Sequence, residues 1–199
     1  MGGKYHHGDL RAELVRVSLD LIAEQGLDGF SVAQVAKRAQ VSPGAPYRHF
    51  PDRESLLAEV ASHVACQLTA RIQDAAEAEE DPAEALAAAA GAYTGYLIER
   101  RAGMDVIYSD ALDGAKHTEL QDRTRQLSDE FLMLCLTVAP GAQEALELME
   151  QVLTQAHGYG TFHLDGVFRK HGYSTELVVR KSVEATRIVI EGHLSRARG

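Results

Sequence analysis

The residues best suited to chemistry in this sequence lie in one short stretch, VSPGAPYRHFPDRESLL, which occupies residues 41–57. Tyr47, Arg48 and His49 place a phenol, a guanidinium and an imidazole at consecutive positions. Such groups donate hydrogen bonds to phosphate oxygens, and arginine also reads the edges of bases. The prolines at positions 43, 46 and 51 predict a very short helix between two abrupt bends. The stretch therefore favours recognition of a nucleic acid.

The start of that short helix is predicted from its small residues. Ser42 is a good N-cap, and Pro43 suits the first helical position. Pro46 then removes the first intrahelical hydrogen bond and biases Ala45 away from α geometry, so we expect a tight or irregular beginning. Gly44 and Ala45 have little side chain, which would let the backbone approach a partner closely.

Helices on both sides must position this stretch. Asp9 is expected to cap a first helix that ends at Gly26, and Ser31 with Gln34 fits a capping box for a short second helix. Asp52 is expected to cap a longer helix after the stretch. Two short helices joined by a tight turn, with a third helix behind them, form a helix-turn-helix, whose second helix enters the major groove of DNA.

The rest of the chain is also predicted to be helical, because apolar residues recur at helical spacing and no alternating strand pattern appears. The fold class is therefore all-α. The expected elements are a helix from Asp81 to an interruption at Gly103, a short piece that ends at Asp113-Gly114, and helices over roughly 117–138, 143–168 and 174–196.

The segment GFSVAQVAKRAQVSPGAPYRHFPDRESLL resembles the DNA-binding segment of the TetR/AcrR family of transcriptional regulators, over roughly Asp9 to Val60. The capped helix, the Val-Ser turn, the Tyr-x-His-Phe cluster and the following Arg-Glu-x-Leu-Leu fall in the same order. The flanking YHHGDLR and QAHGYGTFHLDG are similar to the subgroup with a WHG-type C-terminal domain, whose tryptophan is absent here. Gln40 stands where the family usually has glycine, at a turn position that favours a left-handed backbone.

The resemblance implies a set of DNA-binding residues: Ser31, Ser42, Gly44, Ala45, Tyr47, Arg48, His49 and Arg53. Phosphate contacts would come from Tyr47, His49 and Arg53. Base edges would face Ser42, Gly44 and Ala45, with Arg48 nearby. Taken one by one, Tyr47 also fits a core aromatic and the arginines fit solvated surface charges. Their joint placement after a cap and a turn favours DNA binding.

Charge is spread unevenly along the 199 residues, whose net charge is −9. Residues 1–60 carry 7 basic and 8 acidic side chains, whereas residues 61–199 carry 13 and 21. The part that resembles a DNA-binding domain is therefore almost neutral. No apolar run approaches the roughly 18 residues of a membrane span and no signal core is present, so we expect a cytoplasmic protein without a membrane partner. Cys66 and Cys135 are expected to be buried thiols.

The acidic remainder is predicted to bind a second subunit and a ligand. Its last two helices are apolar around much of their girth, and the resemblance implies that they pair with their copies in a homodimer. Burial within one subunit is the alternative. The middle helices suit a pocket for a small organic effector, although core packing explains the same pattern. The candidate ligand-binding residues are Tyr93, Tyr96, Met104, Ile107, Tyr108, Phe131, Cys135 and His157.

The predicted function is transcription regulation by a repressor that a small-molecule effector releases from a palindromic operator in double-stranded DNA. Residues 1–53 would form the helix-turn-helix domain, and residues 54–199 the effector-binding and dimerisation domain. No catalytic site, metal or cofactor is expected, because His157 and His163 are six residues apart and no phosphate loop or zinc spacing is present. A ligand-binding protein with a vestigial helix-turn-helix is the first alternative, and a helical enzyme is the second.

Overall fold

The computed structural model describes residues 10–109, 112 and 117–196, and within these ranges every regular element is a helix. This confirms the all-α prediction. The elements are α1 Leu10–Gly29, α2 Val32–Arg38, a 3₁₀ helix Pro46–Arg48, α3 Arg53–Glu77, α4 Pro82–Glu99, α5 Arg101–Ile107, α6 Thr118–Val138, α7 Ala142–Leu164, α8 Val167–Lys170 and α9 Thr175–Arg196. The expected cap at Asp9 and the turn at Asp113-Gly114 lie outside the described residues.

Local signals fix several helix starts as the sequence predicts. The Ser31 hydroxyl accepts a hydrogen bond from the Gln34 N–H, and the Gln34 side chain accepts one from the Ser31 N–H at 3.1 Å, which completes the capping box. Asp52 Oδ1 accepts from the N–H of Ser55 at 2.7 Å. Asp81 caps α4 in the same way. These bonds satisfy N–H groups that the first turn of a helix leaves without partners.

Two predicted helix ends are wrong. The interruption after α4 falls at Arg100, whose φ of −130° and ψ of 40° leave the helical region, and Gly103 lies inside α5. α7 ends at Leu164 instead of continuing to about residue 168. Gly166 follows with a φ of 82°, a left-handed conformation that glycine adopts without steric cost, and this separates α7 from α8.

The described chain divides into two compact units. The first unit contains the described residues of 1–65 and 100–124, and the second contains those of 66–99 and 125–199. Only α3 and α6 have residues in both units. The functional boundary between residues 53 and 54 stays a prediction.

The first unit is built on one apolar core. Leu14 and Leu21 of α1, Val35 of α2 and Leu56 of α3 are buried in it. Phe50 belongs to the same core. Burying a phenylalanine is worth about 1.5–3 kcal/mol. The segment between α2 and α3 is therefore held to the core at its far end.

The second unit is centred on α4, which packs against α7 and α9. Glycines bring these helices close together. A Cβ atom on Gly91 would lie 2.5 Å from Cγ2 of Val183, and one on Gly160 would lie 2.6 Å from Cδ2 of Leu97. Real atoms do not approach so closely, so both contacts depend on the absence of a side chain.

A polar layer crosses the middle of this second core. Thr94 Oγ1 lies 2.8 Å from Ser182 Oγ, and Gln155 Nε2 donates to Thr186 Oγ1 at 2.6 Å. Thr94, Ser182 and Thr186 are all buried. Buried polar groups need such partners, because an unpaired one costs about 1–3 kcal/mol. The layer therefore fixes the register of α4, α7 and α9.

Candidate nucleic-acid interface and effector site

The reading segment, residues 41–50, begins after a left-handed turn. Gln40 has a φ of 56°, the only positive value at a non-glycine position among the described residues. The N–H of Val41 then donates to the carbonyl of Ala36 at 3.0 Å. The prediction that this position favours a left-handed backbone is confirmed, and Gln40 carries the strain that glycine would avoid.

The reading segment starts its helix later than expected. Residues 43 and 44 form a turn in which the Ala45 N–H donates to the Ser42 carbonyl at 2.9 Å. Helical structure begins only at Pro46, so the predicted roles of Ser42 as N-cap and Pro43 as first helical residue are wrong. Pro46 has no N–H to donate, so a helix that began at Pro43 would lack a hydrogen bond there. As the first residue of a helix, Pro46 does not need this donor. Ala45 adopts αR geometry, contrary to expectation.

The reading segment presents one side to solvent and buries the other. Its exposed residues are Ser42, Pro43, Gly44, Tyr47 and Arg48. Ala45 and Pro46 are buried, and His49 is half-buried with its ring centroid 6.5 Å from that of Phe50. The Tyr47 side chain is 53% exposed, so it is not a core aromatic. The segment therefore offers a phenol, a guanidinium and a bare glycine backbone on an accessible surface.

Two other candidates for DNA contact are engaged inside the protein. The Ser31 hydroxyl is used in the cap of α2. Arg53 Nη2 donates to the Leu27 carbonyl at 2.8 Å, and its Nε donates to the Phe30 carbonyl at 3.3 Å. The guanidinium also lies 5.5 Å from the Phe30 ring centroid. Arg53 thus links the end of α1 to the start of α3, and its phosphate contact stays a prediction.

Ion pairs occupy three of the six cations among residues 10–65. Arg11 pairs with Glu59, and Arg16 pairs with Glu13 and Asp20. The remaining pair joins Arg38 to Glu24 through two hydrogen bonds of 2.6 and 2.7 Å. The hydrogen bonds from Arg38 hold the pKa of the Glu24 carboxyl below its ordinary value. These exposed pairs stabilise little, but they limit which cations can meet a phosphate.

The second unit brings together three of the candidate ligand-binding residues. Tyr93 Oη lies 2.9 Å from Nδ1 of His157, and the Tyr93 ring meets the edge of Phe131 with centroids 6.0 Å apart. Cys135, on the same helix as Phe131, is buried, and burial raises the pKa of its thiol to about 12. Tyr96 instead donates to Gln67 Oε1 at 3.1 Å.

The other three candidates lie on or beside α5 in the first unit. Met104 is buried, Ile107 packs partly against the first core, and Tyr108 is 63% exposed. Residue type alone could not distinguish these three residues from the group around Tyr93, because both sets are aromatic or apolar. Cys66 is exposed, so the prediction of two buried thiols is wrong for it.

A groove in the second unit escaped the sequence analysis. It has a volume of about 610 Å³ and runs between α3, α4 and α9. Its lining includes Gly91, Gly95, Arg71 and Arg187. The sequence signal for this groove was the run AEALAAAAGAYTG, in which small residues recur at helical spacing. In the described part of the chain, no three acidic, histidine or cysteine side chains are placed to hold a metal ion. No helix described there could cross a membrane.

A short element held between two helices, with exposed aromatic and basic side chains, is the arrangement of a helix-turn-helix motif. Residues 14–60 match the family model for bacterial regulatory proteins of the tetR family. This segment is therefore similar to the DNA-binding part of tetR-family transcriptional regulators. The assignment to the WHG-type subgroup stays a prediction.

Three proteins illustrate the likeness. The HTH-type transcriptional regulator BetI of Burkholderia ambifaria is 38% identical over 79 residues, which are 39% of this chain and 41% of BetI. An HTH-type transcriptional repressor of Mycobacterium tuberculosis is 30% identical over 36% of this chain and 38% of its own. The chain thus spans about two fifths of the length of these curated relatives. A transcriptional regulator from Rhodococcus sp. Rha1 matches over 93% of this chain and 96% of its own, with 26% identity and a TM-score of 0.66.

Proposed function

We propose that this protein is a homodimeric repressor of the tetR family that binds a palindromic operator and leaves it when a small organic effector binds. The observation that carries the DNA-binding part is the exposed surface of the reading segment, formed by Gly44, Tyr47 and Arg48. Repression follows when a regulator bound at a promoter excludes the transcription machinery. The relative from Mycobacterium tuberculosis is named a repressor. Such a protein acts on DNA in the cytoplasm, as a regulator and not as an enzyme.

Gly44 supports direct contact between this segment and DNA. A Cβ atom there would meet nothing within 4 Å, and its φ lies outside the left-handed region. Folding therefore does not require glycine at this position. A glycine at position 44 would let the backbone approach the sugar-phosphate chain of DNA closely, because no side chain stands between them. Gly44→Ala should fold normally and bind operator DNA more weakly.

The dimer is supported by exposed apolar side chains on the last two long helices. Ile188 on α9 is 69% exposed and Leu146 on α7 is 45% exposed. Val183 is half-buried, and its side chain packs against Gly91 of α4 within the subunit. A two-fold dimer would present two reading segments to half-sites about one helical turn apart, ~10 bp, or a multiple of it. Ile188→Glu is therefore a sharper test of dimerisation than Val183→Glu, which would also disturb the core.

The effector is proposed to bind near Tyr93, Phe131 and His157, where aromatic surface surrounds a polar pair. Aromatic walls with a few polar groups suit a small organic molecule. Release from DNA requires that the effector bind the DNA-free arrangement more tightly than the DNA-bound one. Operator DNA must then weaken effector binding by the same factor, typically ~5–150-fold.

A gel shift with the DNA flanking its own gene tests the regulator, and sedimentation of wild type and Ile188→Glu tests the dimer. We expect a specific shifted complex for the wild-type dimer and a folded, non-binding monomer for the variant. A thermal-shift screen would supply an effector, to be titrated with and without operator DNA. Ligand binding without any DNA binding would favour a protein with a vestigial helix-turn-helix. Equal ligand affinity in both titrations would exclude that ligand as the effector.

A further inference from the structure

Few cations of residues 10–65 are free to meet DNA. Residues 10–65 contain six, and four of them have partners inside the protein: Arg11, Arg16, Arg38 and Arg53. The remaining two are Lys37 and Arg48. Both are exposed, and neither side chain has a hydrogen bond or ion pair with another described residue. The positive charge available for DNA in this range is therefore concentrated at two positions.

The two free cations stand on different elements. Arg48 ends the 3₁₀ helix of the reading segment, next to Tyr47. Lys37 lies in the last turn of α2, the helix that precedes the turn at Gln40. In a helix-turn-helix, the second element faces base edges in the major groove, whereas the first crosses the sugar-phosphate backbone. Docking in this general way would bring Arg48 to the bases and Lys37 to the phosphates.

The chemistry of the two side chains matches these places. The planar guanidinium of arginine donates two parallel hydrogen bonds to O6 and N7 of guanine, which no other base accepts in this way. The ammonium of lysine acts as a point charge and suits a phosphate. The other exposed residues of the reading segment offer at most a single hydroxyl each, on Ser42 and Tyr47. Arg48 is therefore the one exposed side chain there that can make a bidentate base contact.

We propose that Arg48 reads guanine in each half-site of the operator, and that Lys37 anchors the same subunit to a phosphate without reading sequence. This inference rests on the DNA binding proposed above and adds the base that is recognised. Because a two-fold dimer presents Arg48 twice, the operator carries one such guanine in each half-site, at symmetry-related positions. Sequence discrimination is concentrated at that base pair.

The test begins with the full-length wild-type dimer, which selects bound duplexes from a random DNA pool. Binding by fluorescence anisotropy is then measured on four operators that differ only at the guanine position of both half-sites. For the wild type, each replacement of guanine should weaken binding ~5–150-fold per half-site. Arg48→Ala should lose affinity for the guanine operator and bind all four about equally. Arg48→Lys should behave in the same way, because a point charge cannot make the paired contact.

Lys37→Ala is the matched control, since it also removes one exposed, unpartnered cation. It should weaken binding to all four operators by the same factor and keep the guanine preference. The slope of log affinity against log salt should fall by about 1.8 per dimer, for two lost phosphate contacts at ~0.9 each. Thermal melting of all variants should match the wild type, because both side chains are exposed.

Two results would overturn the inference. One is a selected operator without guanine in its half-sites. The other is an Arg48→Ala variant that keeps the wild-type base preference while losing affinity on every operator, as Lys37→Ala is expected to do. Failure of the wild type to bind any selected or genomic duplex is a separate outcome, which would overturn the proposed function and this inference with it.

Discussion

In the first unit, the side chains proposed to meet DNA stand outside the apolar core, whereas in the second unit those proposed to meet an effector form part of it. Tyr47 and Arg48 are exposed and rest on a segment held by Phe50. Tyr93 and Phe131 are buried. An exposed surface can bind a macromolecule, whereas a small molecule must be enclosed so that water is excluded from its apolar area. Substitutions should therefore separate function from stability in the first unit and couple them in the second.

Thiol reactivity should show the largest effect and tests how well the second unit encloses its candidate site. Cys66 is exposed and Cys135 is buried, with its pKa raised by burial to about 12. The thiolate is the reactive form, so at pH 8 an alkylating agent should modify Cys66 and leave Cys135 intact, at a rate more than ~1,000-fold lower. Mass spectrometry of the labelled chain measures this. Labelling of both thiols at similar rates would show that the enclosure opens readily.

Truncating an aromatic side chain should have opposite consequences in the two units. Phe131 is 1% exposed, so Phe131→Ala should lower the free energy of unfolding by about 3–5 kcal/mol. Tyr47→Ala should change it by less than about 0.5 kcal/mol but weaken operator binding about tenfold. Urea unfolding and anisotropy measure the two quantities. A strongly destabilised Tyr47→Ala would remove the contrast between the units.

Glycine substitutions on α7 should test whether the second core depends on the close approach of α7 to α4. Gly160→Ala would place a methyl group 2.6 Å from Leu97 Cδ2, so it should cost about 1–3 kcal/mol in spite of the better helix propensity of alanine. Gly158→Ala meets nothing within 4 Å and should stabilise by up to about 1 kcal/mol. Thermal melting should shift downward for the first variant and upward for the second. Equal shifts would mean that the close approach of α7 to α4 is not needed.

The smallest effect concerns the turn before the reading segment. Gln40 has a φ of 56°, a conformation that costs a non-glycine residue about 1 kcal/mol or more. Gln40→Gly should therefore raise the free energy of unfolding by about 0.5–1 kcal/mol, after the greater chain entropy of glycine is subtracted. Gly26→Ala, at a φ of 73° with open space around it, is the matched control and should destabilise. Stabilisation by both changes would contradict the argument from backbone strain.

Most of the fold followed from signals that act within a few residues. The capping box at Ser31, the cap at Asp52, the helix start at Asp81 and the left-handed turn at Gln40 appeared as the sequence predicts. Prediction failed where neighbours in space decide. The break at Arg100 and the late start of the reading helix at Pro46 fall where the local residue types fit other boundaries equally well.

The candidate sites divide in the same way. The basic and aromatic cluster around Tyr47 and Arg48 could be found from the sequence, because a turn and a cap place it in one short segment. The partner of Arg53 is 26 residues away, and His157 lies 64 residues from Tyr93. Such pairings arise only when helices pack. The sequence by itself determined an all-α fold with a short helix between two bends, since caps, turns and prolines act locally. Only the tertiary structure decided which cations stay free for DNA and which aromatics are enclosed, because burial and pairing depend on contacts between distant parts of the chain.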